Sequence, residues 1–326
     1  MIFSVAITGP TASGKTALSI SLATRLGGEI ISCDSMQVYR DMNIGTAKAT
    51  ESERAAVPHH LIDFLSPLET YSAESYRADA LRVAGEISDR GNIPIFVGGT
   101  GLYIDAVKRG VSLNAPESDP EYRDAILSSI KDEGDIDALW QRLKSVDPES
   151  AEKIHKNNVK RVIRALEIYD KTGRTKSELD RESRECRSDI FVGMITLDFH
   201  NRDILYDRCD RRVDAMMREG LLREVNDLYQ KKMLQGQTAS QAIGYKELVE
   251  YLEGRCTVTC AIEELKLATR RYAKRQLTWF RHEPDAVVIY VDKPDGSIKS
   301  VEELADEAAL VLEKFREIYE KGNMNE

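Results

Sequence analysis

Residues 2–16, IFSVAITGPTASGKT, join an apolar run to a glycine-rich turn that ends in Gly14-Lys15-Thr16. That junction constrains the fold more than any other stretch. The segment Gly9-Pro10-Thr11-Ala12-Ser13-Gly14-Lys15-Thr16 fits the pattern G-x-x-x-x-G-K-[ST], and it lies where the pattern carries meaning, between a strand predicted at Val5–Thr8 and a helix predicted at Ala17–Leu26. In such a turn, backbone N–H groups and the helix N-terminus converge on phosphate oxygens. Lys15 adds a point charge, and the Thr16 hydroxyl can ligate Mg²⁺. The pattern specifies a polyphosphate but not ATP, so the phosphate held belongs either to a nucleotide or to the leaving group of some other transfer.

The first hundred residues continue as strand and helix in alternation. EIISCDS (29–35) is a second short strand ending at Asp34, YSAESYRADALRVAGEISDRG (71–91) is a helix with Ser72 as its cap, and IPIFVGG (93–99) is a third strand ending at Gly98. Near-continuous apolar strands in this rhythm predict an α/β fold, a parallel sheet flanked by helices. After NAPESDPEY the texture becomes charged and helix-periodic, from Asp119 to Arg187. Strand character returns in IFVGMITLDF (190–199) and AVVIYVD (286–292). The expected organisation is a discontinuous phosphate-loop core, residues 1–115 and 188–326, with an all-helical insertion over 116–187. A length of 326 residues suits two units, since single cores stop growing near ~250–300 residues.

Several classes are excluded by composition. No apolar run approaches the ~18 residues that a membrane span needs. The run Ile2–Ile7 has neither a basic lead nor a cleavage pattern, so it is expected to be a buried strand in a cytoplasmic protein. Five scattered cysteines predict free thiols, and Cys256 and Cys260 lack neighbouring ligands for zinc. His59 and His60 are adjacent, face different ways in regular structure, and are expected to be structural.

A strand-end carboxylate that would hold a nucleotide's metal is missing. Ile93–Val97 runs into Gly98-Gly99-Thr100-Gly101 instead of an acid. The nearest acid in a comparable place is Asp34, at the carboxyl edge of the second strand, where ligands bind in doubly wound sheets. The residues alone leave open whether Asp34 caps a turn, ligates a metal or acts as a general base.

The net charge of −9 argues against a polyanionic partner unless cations cluster locally. They do so twice. KIHKNNVKRVIR (153–164) places Lys153, Lys156, Lys160 and Arg164 at helical steps, with Val159, Val162, Ile163 and Leu166 opposite. RRYAKRQLTWFR (270–281) sets Arg270 against Lys274 and Arg271 against Arg275, like charges at i,i+4 that an anionic partner would relieve. Arg208, Arg211 and Arg212 either clamp a diphosphate or pair with Asp207 and Asp210.

GPTASGKT, DSMQVYRDMNIGTAK, PHHLID, GGTGLY, QAIGYKE and RRYAKRQLTWFR, in this order, closely resemble the tRNA dimethylallyltransferases (tRNA isopentenyltransferases). The resemblance spans nearly the whole chain. It implies transfer of a dimethylallyl group from dimethylallyl diphosphate, with Mg²⁺, to N6 of the adenosine 3′ of the anticodon, position 37 of tRNA. The phosphate held is then a leaving group, and the absent strand-end acid is no defect. The resemblance also implies that Gly9–Thr16 hold the diphosphate and that Asp34 is the general base, with Thr100 and Arg212 near the bridging oxygen.

Contact with tRNA is implied for Asp34, Ser35, Met36 and Gln37, the last through an amide able to match an adenine edge. It is also implied for Thr100, Arg123, Lys160, Arg161, Val162, Ile163 and Arg164, for Gln241, Ala242, Ile243, Gly244, Tyr245 and Lys246, and for Arg270, Arg271, Lys274, Arg275 and Gln276. A monomer of the bacterial type, without the C-terminal zinc finger of eukaryotic relatives, is expected. The alternatives are a small-molecule kinase with a helical lid and a nonenzymatic RNA-binding module.

Overall fold

A computed structural model describes residues 1–108, 119–185 and 188–323. They fall into two compact units, one formed by Met1–Lys108 with Asp189–Glu326 and one within Arg109–Ser188. The expected boundaries at 115/116 and at Arg187 lie outside the described residues.

The first unit is built on a six-stranded sheet of β1 (Ile2–Thr8), β2 (Gly28–Ser32), β3 (His59–His60), β4 (Ile93–Gly98), β5 (Ile190–Asp198) and β6 (Ala286–Tyr290). The spatial order is β3-β2-β4-β1-β5-β6, and every pairing is parallel. Register explains the burial. Val5, Ile7, Ile30, Ile95, Ile195 and Leu197 enter one hydrophobic cluster, whereas their chain neighbours Ala6, Ile31, Phe96 and Met194 enter another. A strand shows alternate residues to opposite faces, so both faces are covered and the apolar run has no polar side.

Helices α1 (Lys15–Leu26), α2 (Glu51–Ala56), α3 (Ala73–Asp89) and α4 (Gly101–Lys108) belong to the first half of this unit. Ser72 caps α3 by accepting the Ser75 N–H. The chain leaves β1 toward β2 on one side and returns to β5 on the other. The crevice therefore opens beside β1, at the switch of direction. His60 Nε2 lies 2.6 Å from Glu29, and His59 Nδ1 lies 2.7 Å from the Val57 carbonyl, so both histidines hold the sheet edge. Burial raises the Glu29 carboxyl, but hydrogen bonds from Arg90, Asn92 and His60 outweigh it and hold the group at about 2.

The second unit contains α5 (Pro120–Ser129), α6 (Glu133–Val146), α7 (Pro148–Lys153), α8 (Val159–Thr172) and α9 (Lys176–Glu185). Asp119, Asp132 and Asp147 cap α5, α6 and α7 with their carboxylates. Leu143, Ala151, Ile154, Val162, Ala165 and Leu166 form its core. The sequence places Lys153, Lys156, Lys160 and Arg164 on one helical face, and here the structure differs. Lys153 ends α7 and pairs with Glu149, Lys156 lies between helices and pairs with Asp137, and α8 begins only at Val159.

The chain then returns to the first unit through α10 (Arg202–Glu219), α11 (Leu221–Gln230), α12 (Tyr245–Leu252), α13 (Val258–Phe280) and α14 (Val301–Asn323). Among the described residues, no helix is long and apolar enough to cross a membrane.

Candidate active site

A cleft of about 770 Å³ in the first unit is walled by the turn from Thr11 to Ala17, by Asp34–Gln37, by Gly98 and Gly99, and by one side of α10 and α13. The turn is shaped by positive φ at Gly9 (135°), Ala12 (63°) and Gly14 (94°). A Cβ on Gly9 would meet the Leu197 carbonyl oxygen at 2.7 Å, so the first glycine is also a packing requirement. Arg208 Nε donates to the Ala12 carbonyl at 2.8 Å and holds this residue in its left-handed conformation. Ser13 is 1% exposed, and its hydroxyl has no hydrogen-bond partner among the described residues. A buried hydroxyl without an internal partner, in a turn of this shape, fits an anion's oxygen as its acceptor.

Lys15 Nζ donates to the carbonyls of Gly9 (3.0 Å) and Pro10 (2.6 Å). Burial lowers its pKa, the Arg212 charge lowers it further, and Asp34 opposes them; the ammonium is left at about 7. An anion in the turn would restore the charged form. Thr16 also lines the cleft and is the side chain able to hold Mg²⁺. Among the described residues, no three His, Cys, Asp or Glu side chains gather to bind a metal. One hydroxyl beside a diphosphate is nevertheless the donor set Mg²⁺ takes, because that ion keeps several waters and binds substrate phosphates.

Asp34 follows the end of β2. Its Oδ1 accepts the Met36 N–H at 2.9 Å, so the carboxylate caps its own turn while it lines the cleft. Burial raises its pKa, opposed by the Met36 N–H and by the charges of Lys15 and Arg212. Of the alternatives open in the sequence, the turn cap is the one this contact realises. Thr100 lies on the neighbouring turn, where its hydroxyl accepts the Ser35 N–H at 3.2 Å. A Cβ on Gly98 would come within 2.2 Å of the Cys33 carbonyl oxygen, which is why the turn after β4 is glycine where a metal-binding acid would otherwise stand.

The arginines of α10 divide their work. Arg211 pairs with Asp207, Arg208 holds the phosphate turn, and Arg212 lines the cleft near both Asp34 and Lys15.

Several residues expected to meet tRNA are committed elsewhere. The Gln37 amide nitrogen donates to the Thr46 and Ala47 carbonyls and its oxygen accepts from Ser32, so the amide is spent on shaping the loop. Val162 and Ile163 are each 1% exposed, Val162 in the core of the helical unit. Ala242 and Tyr245 are buried as well, and Tyr245 donates to Glu224 at 2.6 Å. Arg123 and Arg164 both bind the fully buried Glu167 carboxylate. Arg270 pairs with Asp210, and Gln276 is 5% exposed. On the helices the reason is that a motif is contiguous in sequence but a helix turns only some of its residues outward; Gln37 and Ala242 lie outside the helices and are drawn inward by the folding of their loops. Lys160, Arg161, Gln241, Lys246, Arg271, Lys274 and Arg275 are exposed.

Sequence reasoning missed Glu224, whose carboxylate accepts the N–H groups of Asn43, Ile44 and Gly45. Nor did it place Tyr272 in the cleft, which this side chain lines. Nothing local in the sequence announces either, because their partners lie far away along the chain.

The family model described as IPP transferase matches residues 37–283, and one described as isopentenyl transferase matches residues 3–63. The chain is 49% identical over 296 residues to the tRNA dimethylallyltransferase of Shouchella clausii, covering 90% of this chain and 93% of that protein. It is 48% identical to that of Halalkalibacterium halodurans, covering 89% and 91%. Among solved structures, the tRNA isopentenylpyrophosphate transferase of Bacillus halodurans superposes with a TM-score of 0.70 at 43% identity, covering 98% of this chain and all of that one. A eukaryotic dimethylallyltransferase captured acting on tRNA gives a TM-score of 0.73 at 33% identity, covering 89% and 74%.

Proposed function

The chain belongs to the IPP transferase family, and from that premise we propose how its cleft moves a dimethylallyl group from dimethylallyl diphosphate to N6 of adenosine 37 in tRNA. The single observation that carries the assignment of roles is the meeting of a phosphate turn, an acid of raised pKa and a half-buried arginine in one cleft. In the reaction the C1–N6 bond forms and the C1–oxygen bond to diphosphate breaks. The N6 proton passes to the Asp34 carboxylate, and the diphosphate leaves with the C–O electron pair.

An adenine amine is a weak nucleophile because its lone pair is delocalised, so removal of its proton as the bond forms lowers the barrier. The raised pKa of Asp34 makes its ionised form a stronger base. Charge that develops on the departing diphosphate is met by the turn N–H groups, Lys15 and Arg212, which are already in place. The Ser13 hydroxyl supplies one further donor. Thr16 would hold Mg²⁺, which when bound neutralises diphosphate charge.

The target base must leave its stack to reach the cleft, at a cost of a few kcal/mol that is least in a single-stranded loop. The anticodon loop meets that condition. Exposed cations on α8 and α13 (Lys160, Arg161, Arg271, Lys274 and Arg275) bind the tRNA backbone, and the helical unit as a whole serves as a tRNA-binding insertion. Phosphoryl transfer from ATP is not favoured, since the strand-end position that would carry its metal-holding acid is glycine packed on Cys33. Purified enzyme with labelled dimethylallyl diphosphate, Mg²⁺ and tRNA bearing A37 is expected to put label on that base and release diphosphate. Label that requires ATP, or that stays off A37, defeats the assignment.

A further inference from the structure

We propose that Gln276 is a positioning residue of the transfer reaction, a buried carboxamide that fixes the distance between the diphosphate cradle and the Thr100 turn. Its Oε1 accepts the Thr11 N–H at 2.8 Å, and its Nε2 donates to the Gly99 carbonyl at 3.0 Å. One planar group therefore spans two loops that backbone hydrogen bonding leaves separate at this point. The first loop presents phosphate-binding N–H groups, and the second carries Thr100.

Three further observations single out this bridge. Gln276 is 5% exposed although it lies in a strongly basic run, so its amide is a core element and not a surface contact. A Cβ on Gly99 would lie 1.9 Å from Nε2, which makes the second glycine of the turn the space that the amide occupies. One helical turn earlier, Tyr272 lines the same cleft. Residues i and i+4 share a helix face, so α13 grips the two catalytic loops with one face while Arg271, Lys274 and Arg275 are exposed on the rest.

The chemistry explains why an amide stands here. Thr11 offers a donor and Gly99 an acceptor, and a carboxamide, with its oxygen and its NH₂ on separate arms of one plane, satisfies both at once without a charge. A glutamate keeps the first bond and loses the second; a methionine keeps the volume and loses both. Loosening the bridge lets the cradle drift from Thr100 by fractions of an ångström. Such a drift is felt in the transition state more than in binding, because positioning terms are realised only when the bond to diphosphate is breaking.

This proposal rests on the assignment of the cradle to dimethylallyl diphosphate, so the test begins from wild-type enzyme, whose label transfer decides that assignment alone. With turnover established, Gln276→Met is expected to lower kcat at least tenfold. KM for dimethylallyl diphosphate should change by less than about threefold, and the tRNA Kd from filter binding by less than twofold. Gly99→Ala, which pushes the amide from the other side, is expected to show the same split. A kcat within threefold of wild type in both variants overturns the proposal, and so does a tRNA Kd that weakens as far as kcat falls. Should Gln276→Met not fold at the assay temperature, Gln276→Glu is judged by the same thresholds.

Discussion

Helix α8 carries the end of one basic run of this protein and α13 most of the other, and they differ in what lies beneath the cations. The inner face of α8 packs into the core of its own small unit, with Val162, Ala165 and Leu166 against Leu143 and Ala151. The inner face of α13 instead places Tyr272 in the cleft and Gln276 on two of the loops that line it. In both helices some cations are consumed internally, Arg164 by Glu167, Arg270 by Asp210 and Arg281 by Asp198. The difference teaches that a basic motif can be an adhesive patch alone or an adhesive patch fused to catalytic scaffolding. Only the buried half of the helix tells which.

The contrast can be broken most directly at the chemical end. Asp34→Ala is expected to lower kcat by about 10²–10⁴, the usual range for a positioned general base, while leaving the tRNA Kd within about twofold. Equal losses of turnover and binding in single-turnover and filter-binding assays would erase the division between scaffold and patch.

Next in size is the effect of the outer cations. Lys160→Ala on α8 and Arg271→Ala on α13 are each expected to weaken tRNA binding several-fold and to reduce the log–log salt slope by about 0.7–1, the signature of one lost phosphate contact. Arg270→Ala should leave that slope unchanged and lower the melting temperature instead, because it strips Asp210 of its partner. A slope loss from Arg270 equal to that from Arg271 would show that ion pairing of α13 to α10 does not separate the two roles.

A subtler effect concerns the proton on Lys15. With its pKa at about 7 in the free enzyme, the side chain is mostly neutral at pH 8 and mostly charged at pH 6. An anion that demands the ammonium form therefore takes up about 0.9 proton at pH 8 and about 0.1 at pH 6. Calorimetry of dimethylallyl diphosphate binding in buffers of different ionisation heat reads this uptake. Lys15→Arg, whose charge persists throughout, should remove the Lys15 share of this uptake, most visibly at pH 8, where the diphosphate is already ionised.

The smallest expected change lies in the helical unit. Arg123→Ala leaves Glu167 with Arg164 and the Asp119 N–H, so it should cost about 1–2 kcal/mol of that unit's stability with no change in salt slope. Denaturant melts together with binding titrations separate this outcome from a direct contact with tRNA.

Much of the fold was legible because its causes are local. Apolar runs of strand length, a turn that only glycines can make, and the serine cap at Ser72 act over a few residues. The sheet, its parallel sense and the change to helical texture after Asp119 follow from them. The site was legible only in part. Lys15, Asp34 and Arg212 stand in one cleft as their motifs suggested, but Gln37, Tyr245 and Gln276 are turned to structural work that their motifs did not disclose. The partners of Tyr245 and Gln276 lie 21 to 265 residues away. Even the ten-residue reach of Gln37 to Ala47 depends on how a loop closes.

What the sequence determined by itself was the chemistry on offer: a phosphate turn with its lysine and hydroxyl, an acid at a strand end, and cations enough to hold a polyanion despite the overall negative charge. Side-chain identity and short-range spacing fix these. Tertiary structure alone decided which of those groups face the cleft and which are spent on the scaffold. That choice depends on helix rotation and on contacts between distant segments, which form only when buried apolar surface brings α10 and α13 against the sheet edge.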